Sequence, residues 1–264
     1  MTSSCLTPPA PPASWSRLPG GFVLHRFDRV GSTNDEASRL ARAGASTGTV
    51  VVAREQSKGR GRLGRQWYSP PGNLYASIVI RPECPLAATS GLSLLAGVAL
   101  GEALTALGPK GLDLGLKWPN DVLIGGAKTA GILLESTAGE AGRTAFVIIG
   151  AGVNIRRAPG DTPYPVTSLA AAGFGDLAPL DLLETYTARL AHWLDRWQRE
   201  GFADVRDAWR ARAQGIGERV RLRLDRDEIV GLFVDLTEGG ALVIEQADGR
   251  RREVAAGDVI YPGP

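Results

Sequence analysis

The residues best suited to chemistry lie in one decapeptide, Lys58-Gly59-Arg60-Gly61-Arg62-Leu63-Gly64-Arg65-Gln66-Trp67, which holds four cations, three glycines, one tryptophan and no acid. Glycine keeps Cβ atoms away and permits φ > 0, so backbone N–H groups are expected to curl around an anion. Arginine adds planar donor forks matched to carboxylate and phosphate oxygens. Trp67 puts an aromatic face beside them. The combination predicts a grip on something both anionic and flat, such as a nucleotide joined to an acid. The stretch also spells Gly-x-Gly-x-x-Gly after the strand-like Thr49-Val50-Val51-Val52-Ala53. A dinucleotide fingerprint must open a helix, and Trp67-Tyr68-Ser69-Pro70-Pro71-Gly72 cannot continue one. A basic Gly/Arg run is also a common nucleic-acid-binding loop, but that function needs extended basic faces elsewhere, and the sequence supplies only this local patch.

The elements that must position the loop follow from periodicity. A strand-like run from Phe22 to Phe27 leads into Gly31-Ser32-Thr33-Asn34-Asp35-Glu36, a helix N-terminus signal. That helix runs through Ala37, Leu40 and Ala41 and stops at Gly44, with Ser32 and Thr33 serving as caps or as anion contacts. Thr49 to Arg54 reads as a buried strand and Asn73 to Ile80 as another. Leu92, Leu95, Ala99, Ala103 and Leu107 recur at helical spacing, with Gly97 and Gly101 allowing close packing. Two apolar runs around Gly125-Gly126 predict a hairpin, and Phe146 to Ile149 a further strand. A long amphipathic helix from Leu180 to Glu200 carries the core stripe Leu182, Tyr186, Leu190, Trp193 and Trp197, with His192 at its surface. A shorter helix around Phe202, Val205 and Trp209 follows. From Arg219 onward, Val220, Leu222 and Leu224 alternate with arginines, and short strands are separated by the Thr237-Glu238-Gly239-Gly240 and Ala247-Asp248-Gly249 turns. This predicts a small barrel. The fold class is α+β with a mixed sheet. The domains are expected to be a flexible Pro-rich leader over 1–20, a catalytic domain over 21–214 and a β-barrel over 215–264.

Composition bounds the function. With 264 residues, 44% hydrophobic and 22% charged, the chain is an ordinary globular protein. A net charge of +2 is too small to argue for general nucleic-acid binding. Cys5 and Cys84 make no disulfide framework, which fits a reducing compartment. No secretory signal is visible, and the apolar run from Leu92 to Leu100 is far short of a membrane span. A cytoplasmic location without nucleic-acid or membrane partners is expected. His25 and His192 have no companions at ligand spacing, so no protein-bound zinc is expected. Gly125-Gly126-Ala127-Lys128-Thr129 lacks the glycines of a P-loop, so the nucleotide site is of another kind.

Four motifs occur in order: Gly31-Ser32-Thr33-Asn34, the loop from Gln56 to Trp67, Lys117-Trp118-Pro119-Asn120-Asp121, and Lys128-x-x-Gly131-Ile132-Leu133. Gly150-x-Gly152-x-Asn154-Ile155 follows. The set resembles the biotin protein ligases, over roughly residues 22–264. The resemblance implies a mixed-sheet catalytic domain of the biotin/lipoate ligase type with a small SH3-like C-terminal barrel. It implies an ATP-dependent, AMP-forming reaction: biotin and ATP, with Mg²⁺, give biotinyl-5′-AMP and pyrophosphate, and the acyl group passes to a lysine of a biotin carboxyl carrier protein, such as that of acetyl-CoA carboxylase. It implies that Ser32, Thr33, Asn34, Gln56, Arg60, Gly61, Arg62 and Lys128 contact biotin or its adenylate. Gly59, Asn120, Gly131 and Gly152 belong to the same motifs and are assigned to the substrate site. Trp67 packs on the adenylate and Asn154 helps hold the nucleotide. Lys128, Arg62 and Asp121 are the expected catalytic residues, Lys128 stabilising the attacking carboxylate and the five-coordinate phosphorus. Asp121 serves magnesium, the carrier lysine, or merely the turn. Lys117 is a phosphate partner or an exposed cation. The metal is expected to come with ATP, the protein alone binding none. The glycine-rich loop is expected to be mobile without ligand and to fold over the adenylate. Residues 1–20 leave no room for the DNA-binding domain of some family members, so no repressor function is expected. Monomer and homodimer both fit. The nearest rival is a lipoate or octanoate ligase, against which the Gly-Arg loop and the C-terminal barrel count.

Overall fold

Hydrophobic alternation decides how the main sheet is built. In the computed structural model, which describes residues 16–224 and 227–261, Val50 and Val52, Ile78 and Ile80, and Val147 and Ile149 face a large core, while Val51, Val79, Phe146 and Ile148 face a smaller one with Ala37 and Ala41. Successive strand residues point to opposite faces, so a strand apolar at every position is buried on both. The central strands therefore need a helix on each side.

The chain supplies them in order. β1 (Ser16–Arg17) and β2 (Val23–Val30) lead to α1 (Thr33–Arg42), then β3 (Thr49–Gln56) and β4 (Leu74–Ile80). α2 (Leu92–Leu107), β5 (Leu114–Lys117), β6 (Asp121–Ile124), β7 (Ala127–Ala138) and β8 (Thr144–Val153) follow. α3 (Pro179–Glu200) and α4 (Ala203–Arg210) close this part. The eight strands are ordered β1-β2-β3-β4-β8-β7-β6-β5, with β2 and β3 parallel and the other neighbours antiparallel. Five more strands, β9 (Arg219–Arg223), β10 (Glu228–Leu236), β11 (Leu242–Glu245), β12 (Arg251–Val254) and β13 (Asp258–Ile260), form an antiparallel sheet ordered β12-β11-β10-β9-β13. This is consistent with a small SH3-like barrel. Val220, Leu222 and Phe233 from this sheet join the large core with Trp209, so both sheets share one apolar interior.

Three expectations change. The leader is shorter than residues 1–20, because Ser16–Arg17 pairs with β2 and Leu18 is buried; the remainder, 1–15 with Cys5, lies outside the described residues. The apolar run is longer than Leu92–Leu100. With the preceding 3-10 turn, Leu86–Leu107 is the one helix among the described residues long and apolar enough to cross a membrane by length and composition. It serves as the core helix, with Leu95, Ala96, Val98, Ala99 and Leu100 fully buried. Of the two glycines expected to allow close packing, Gly101 has the close neighbour: a Cβ there would lie 3.2 Å from Leu114 Cδ2, whereas Gly97 has a clear 4.0 Å to Leu116.

α1 reaches the site with its N-terminus and is moored at the other end by Arg81. That guanidinium donates to Ala41 O at 2.6 Å, Ala45 O at 2.9 Å and Ala145 O at 3.1 Å. Arg81 thus ties the last turn of α1 (Ala41) to the turn after it (Ala45) and to β8 (Ala145). Removing a charged donor shared by three carbonyls is expected to cost about 2 kcal/mol, measured for Arg81→Ala by equilibrium urea unfolding. Arg81→Lys should recover under half of the loss, because an ammonium cannot span the same fork.

Candidate active site

Every one of the four ordered motifs reaches a single cleft of about 750 Å³, counting its open mouth. One end is neutral. Ser32, Thr33 and Asn34 open α1 there and are buried. Ser32 occupies the N-cap position but makes no side-chain cap; the cap comes from Gln56 on β3, whose Oε1 accepts from Thr33 N at 2.8 Å and lies 3.0 Å from Thr33 Oγ1. The α1 terminus and the strand before the basic loop are thereby tied together. Asn34 fits because Gly150 has no side chain: a Cβ at Gly150 would fall 2.2 Å from Asn34 Oδ1.

The other end is cationic. The loop from Gly59 to Trp67 folds as a small hairpin, with Arg60 bridged to Gln66, Trp67 N–H donating to Gly59 O at 2.9 Å and Gly61 N–H to Arg65 O at 2.7 Å. The N–H groups of Gly61, Arg65 and Trp67 are thus spent inside the hairpin. Only Gly64 among its glycines has φ > 0, at 70°, next to Leu63 at 55°. Gly59 is there for space, since a Cβ would lie 2.4 Å from Ser69 Oγ and 2.8 Å from Trp67 O. The positive charge at this end is carried by side chains.

Those side chains are held by carboxylates. Arg60 pairs with Asp35 Oδ1 at 2.7 Å and Glu135 Oε1 at 3.0 Å, which raises its pKa, the Asp35 bond contributing most. Arg62 donates to Asn120 Oδ1 at 3.3 Å and to Gly257 O at 3.1 Å, and lies 3.5 Å from Asp258 Oδ1. Burial lowers its pKa, opposed by Asp258 and Asp121. Arg65 also pairs with Asp258. Asp258, on β13, thus brings the C-terminal sheet to the cleft.

The floor is β7 and β8. The Trp67 indole lies over them because Gly131 and Gly152 are bare: a Cβ at Gly152 would come within 2.6 Å of Trp67 Nε1, and one at Gly131 within 3.3 Å of its ring. Lys128 Nζ lies 5.5 Å from the Trp67 ring centroid and 5.6 Å from that of Tyr164. It also stands 2.7 Å from Asp121 Oδ1. The two form a largely buried ion pair, each side chain 16% exposed.

Ser32, Thr33, Asn34, Gln56, Arg60, Gly61, Arg62, Trp67, Asn120, Asp121, Lys128, Gly131 and Gly152 all line the cleft. Gly59, Lys117 and Asn154 do not. Asn154 is buried behind the floor, donating to Thr167 O at 3.3 Å while its N–H goes to Thr129 O; it pins the segment after β8. Lys117 is not an exposed cation: it lies 5.2 Å from the Tyr261 ring centroid, and burial lowers its pKa. Asp35, Glu135, Tyr164 and Asp258 are site residues that the sequence does not reveal. None carries a signal of this role: Asp35 reads as a first-turn helix acid, Tyr164 comes in on the segment between β8 and α3, Glu135 on β7 and Asp258 on β13.

Comparison with known proteins agrees with this geometry. Residues 18–211 match the Biotin/lipoate A/B protein ligase family, which sets the class of the main sheet and its cleft. Residues 215–261 match the Biotin protein ligase C terminal domain. The biotin–[acetyl-CoA-carboxylase] ligase of Paracoccus denitrificans is 40% identical over 243 residues, covering 89% of this chain and 99% of that protein. The bifunctional ligase/repressor BirA of Bacillus subtilis is 34% identical, covering 89% of this chain and 73% of that protein. The Aquifex aeolicus biotin protein ligase in complex with biotin and ATP superposes with a TM-score of 0.76 at 30% identity, covering 90% of this chain and 97% of that one. The chain belongs to the biotin protein ligase family.

Proposed function

We propose that this cleft joins biotin to ATP and then hands the acyl group to a carrier lysine. The observation that carries the reading is the division of one cleft into a neutral hydrogen-bonding end (Ser32, Thr33, Asn34, Gln56) and a cationic end (Arg62, Arg65, Lys128), with an aromatic ring and bare backbone between them. Biotin has the matching polarity: a neutral cyclic urea at one end, an apolar body, and a carboxylate at the other.

In this reading a carboxylate oxygen attacks the α-phosphorus, the bond to the bridging oxygen of pyrophosphate breaks, and biotinyl-5′-AMP forms. Two anions must meet, so Lys128 and Arg62 offset their repulsion and the charge that builds on phosphorus. The carrier lysine amine then attacks the acyl carbon, AMP leaves and the nitrogen gives up a proton. Asp121 would take that proton or hold a metal. Among the described residues no three His, Cys, Asp or Glu side chains cluster as a metal site, and the Asp121 carboxylate, paired with Lys128 through Oδ1, would offer a single ligand. That donor set fits Mg²⁺ arriving on ATP phosphates and keeping its waters; when bound, it would neutralise phosphate charge. The acceptor is a biotin carboxyl carrier protein, the setting is the cytoplasm, and the catalytic and barrel parts divide near residues 214–215.

The test is ATP–pyrophosphate exchange by the purified protein with Mg²⁺, comparing biotin, lipoate and no acid. Exchange with biotin alone is expected. Exchange with lipoate instead would move the assignment to the sister enzymes, and no exchange with either by folded protein would end the ligase reading.

A further inference from the structure

The basic hairpin is fastened to its surroundings at its entry, at its tip and, between them, through Arg60. At the entry, Ser57 N–H donates to Val30 O at 3.0 Å and Lys58 N–H to Gly31 O at 2.7 Å. At the tip, Arg62 and Arg65 rest against Gly257 and Asp258. In between, Arg60 Nη2 meets Asp35 Oδ1 on α1 at 2.7 Å and both Glu135 oxygens on β7 at 3.0 and 3.1 Å. Among the described residues, no other hydrogen bond or ion pair joins residues 59–67 to α1 or β7.

Charge decides what Arg60 can do there. One guanidinium faces two carboxylates, so the cluster carries net negative charge. A substrate carboxylate reaching for Nη1 or Nε would stand beside two others, and like charges at that range repel. The tip has the opposite balance: Arg62 and Arg65 share the single carboxylate of Asp258 and keep net positive charge. An incoming anion is therefore drawn to the tip and to Lys128, and Arg60 is committed to the protein itself.

We propose that Arg60 is a positioning residue and not a ligand of the substrate carboxylate: clipped between Asp35 and Glu135, it holds the hairpin closed before any ligand arrives. For its ligand the inference rests on the ligase reading above. A hairpin ordered in advance costs less of the binding free energy than one that must be ordered by the ligand. Asp35 is 61% exposed at its side chain and Arg60 30%, so water screens the clip and its loss should be felt as a moderate effect.

The experiment has two readouts. The first is amide hydrogen exchange without ligand at Gly61 and Trp67, whose N–H groups close the hairpin. Arg60→Met is expected to speed exchange there about 10-fold, with Ile78 in the central sheet unchanged. The second is binding of biotin and of biotinol, in which a hydroxymethyl group replaces the carboxylate. Arg60→Met should weaken both about 10-fold and leave the ratio of their Kd values within about 2-fold of wild type. Asp35→Asn should loosen the hairpin and weaken both ligands about 3-fold; were Arg60 a ligand of the carboxylate, releasing it from Asp35 would tighten biotin instead. Arg60→Lys keeps the charge but not the planar fork; it should resemble Arg60→Met, and it replaces that variant if the latter does not fold. Loss confined to biotin, tighter biotin in Asp35→Asn, or unchanged exchange at Gly61 and Trp67 in the folded Arg60 variant would each overturn the proposal. Failure of the wild type to bind biotin would overturn the ligase reading, whereas the exchange measurement, made without ligand, judges the clip by itself.

Discussion

Lys128→Ala is expected to slow adenylation about 100-fold or more, the usual cost of deleting one preorganised charge at a reacting centre. The ammonium is held in place by construction. Lys128 N–H donates to Pro165 O at 2.9 Å and its carbonyl accepts from Thr167 N–H at 3.0 Å, so the backbone is fixed on both sides. The side chain is then boxed by Trp67, Tyr164 and Asp121. Single-turnover formation of biotinyl-5′-AMP under saturating biotin and ATP measures the step. If Lys128 acts on the transition state, biotin binding stays close to wild type while the rate falls. A rate within about 3-fold of wild type would remove Lys128 from this role. Because the substitution leaves the Asp121 carboxylate buried without its counter-charge, thermal unfolding is followed in parallel, and the double variant Lys128→Ala with Asp121→Asn should regain stability without regaining rate.

Arg62→Ala is expected to release the adenylate. Arg62 reaches the cleft from the hairpin, and its donors now rest on Asn120 Oδ1 and Gly257 O. An adenylate phosphate can compete with these acceptors for the guanidinium, whose side chain is only 22% exposed. Loss of a charged hydrogen-bonding group costs about 1.5–3 kcal/mol, so adenylate release should accelerate roughly 10- to 100-fold. The mixed anhydride would then reach solution, where it hydrolyses or acylates whatever amine it meets. The expected result is free biotinyl-5′-AMP on rapid filtration and biotin on bystander proteins. Full activity with no rise in free adenylate would falsify the retention role. Arg62→Lys is expected to fall between, since one ammonium cannot reproduce a planar fork.

Both predictions begin from residues whose chemistry is legible in the chain itself. A decapeptide with four cations and no acid has few uses, and Lys128, singled out by its motif, lines the same cleft as that loop. What the sequence could not separate was contact from support. Gly59 and Gly152 look alike as motif glycines, yet Gly59 makes room for the turn of its own hairpin, and Gly152 makes room for the Trp67 ring. Asn154 reads as a nucleotide ligand because of where it stands in a motif, and here it lies behind the lining, bonded to Thr167 O and Thr129 O. Lys117 reads as a phosphate partner or an exposed cation, and it is half-buried against Tyr261.

The alternation of apolar residues determined the elements, because burial on one or two faces of a strand or helix is written in its own period. The C-terminal strands followed from the same rule: in Arg219–Arg223 the buried positions are Val220 and Leu222. The charge of the loop and the anion it implies were likewise fixed by composition alone. Tertiary structure decided which carboxylates hold that charge. Asp35, Glu135 and Asp258 come from α1, β7 and β13, the last nearly two hundred residues from the arginines it pairs with. An isolated Asp or Glu carries no local signal of its partner, since Coulomb attraction depends on distance in space and not along the chain. The same holds for the contacts of Asn34 and Thr33 with Ser77 and Glu135, which exist only because β4 and β7 bring those residues to the end of α1.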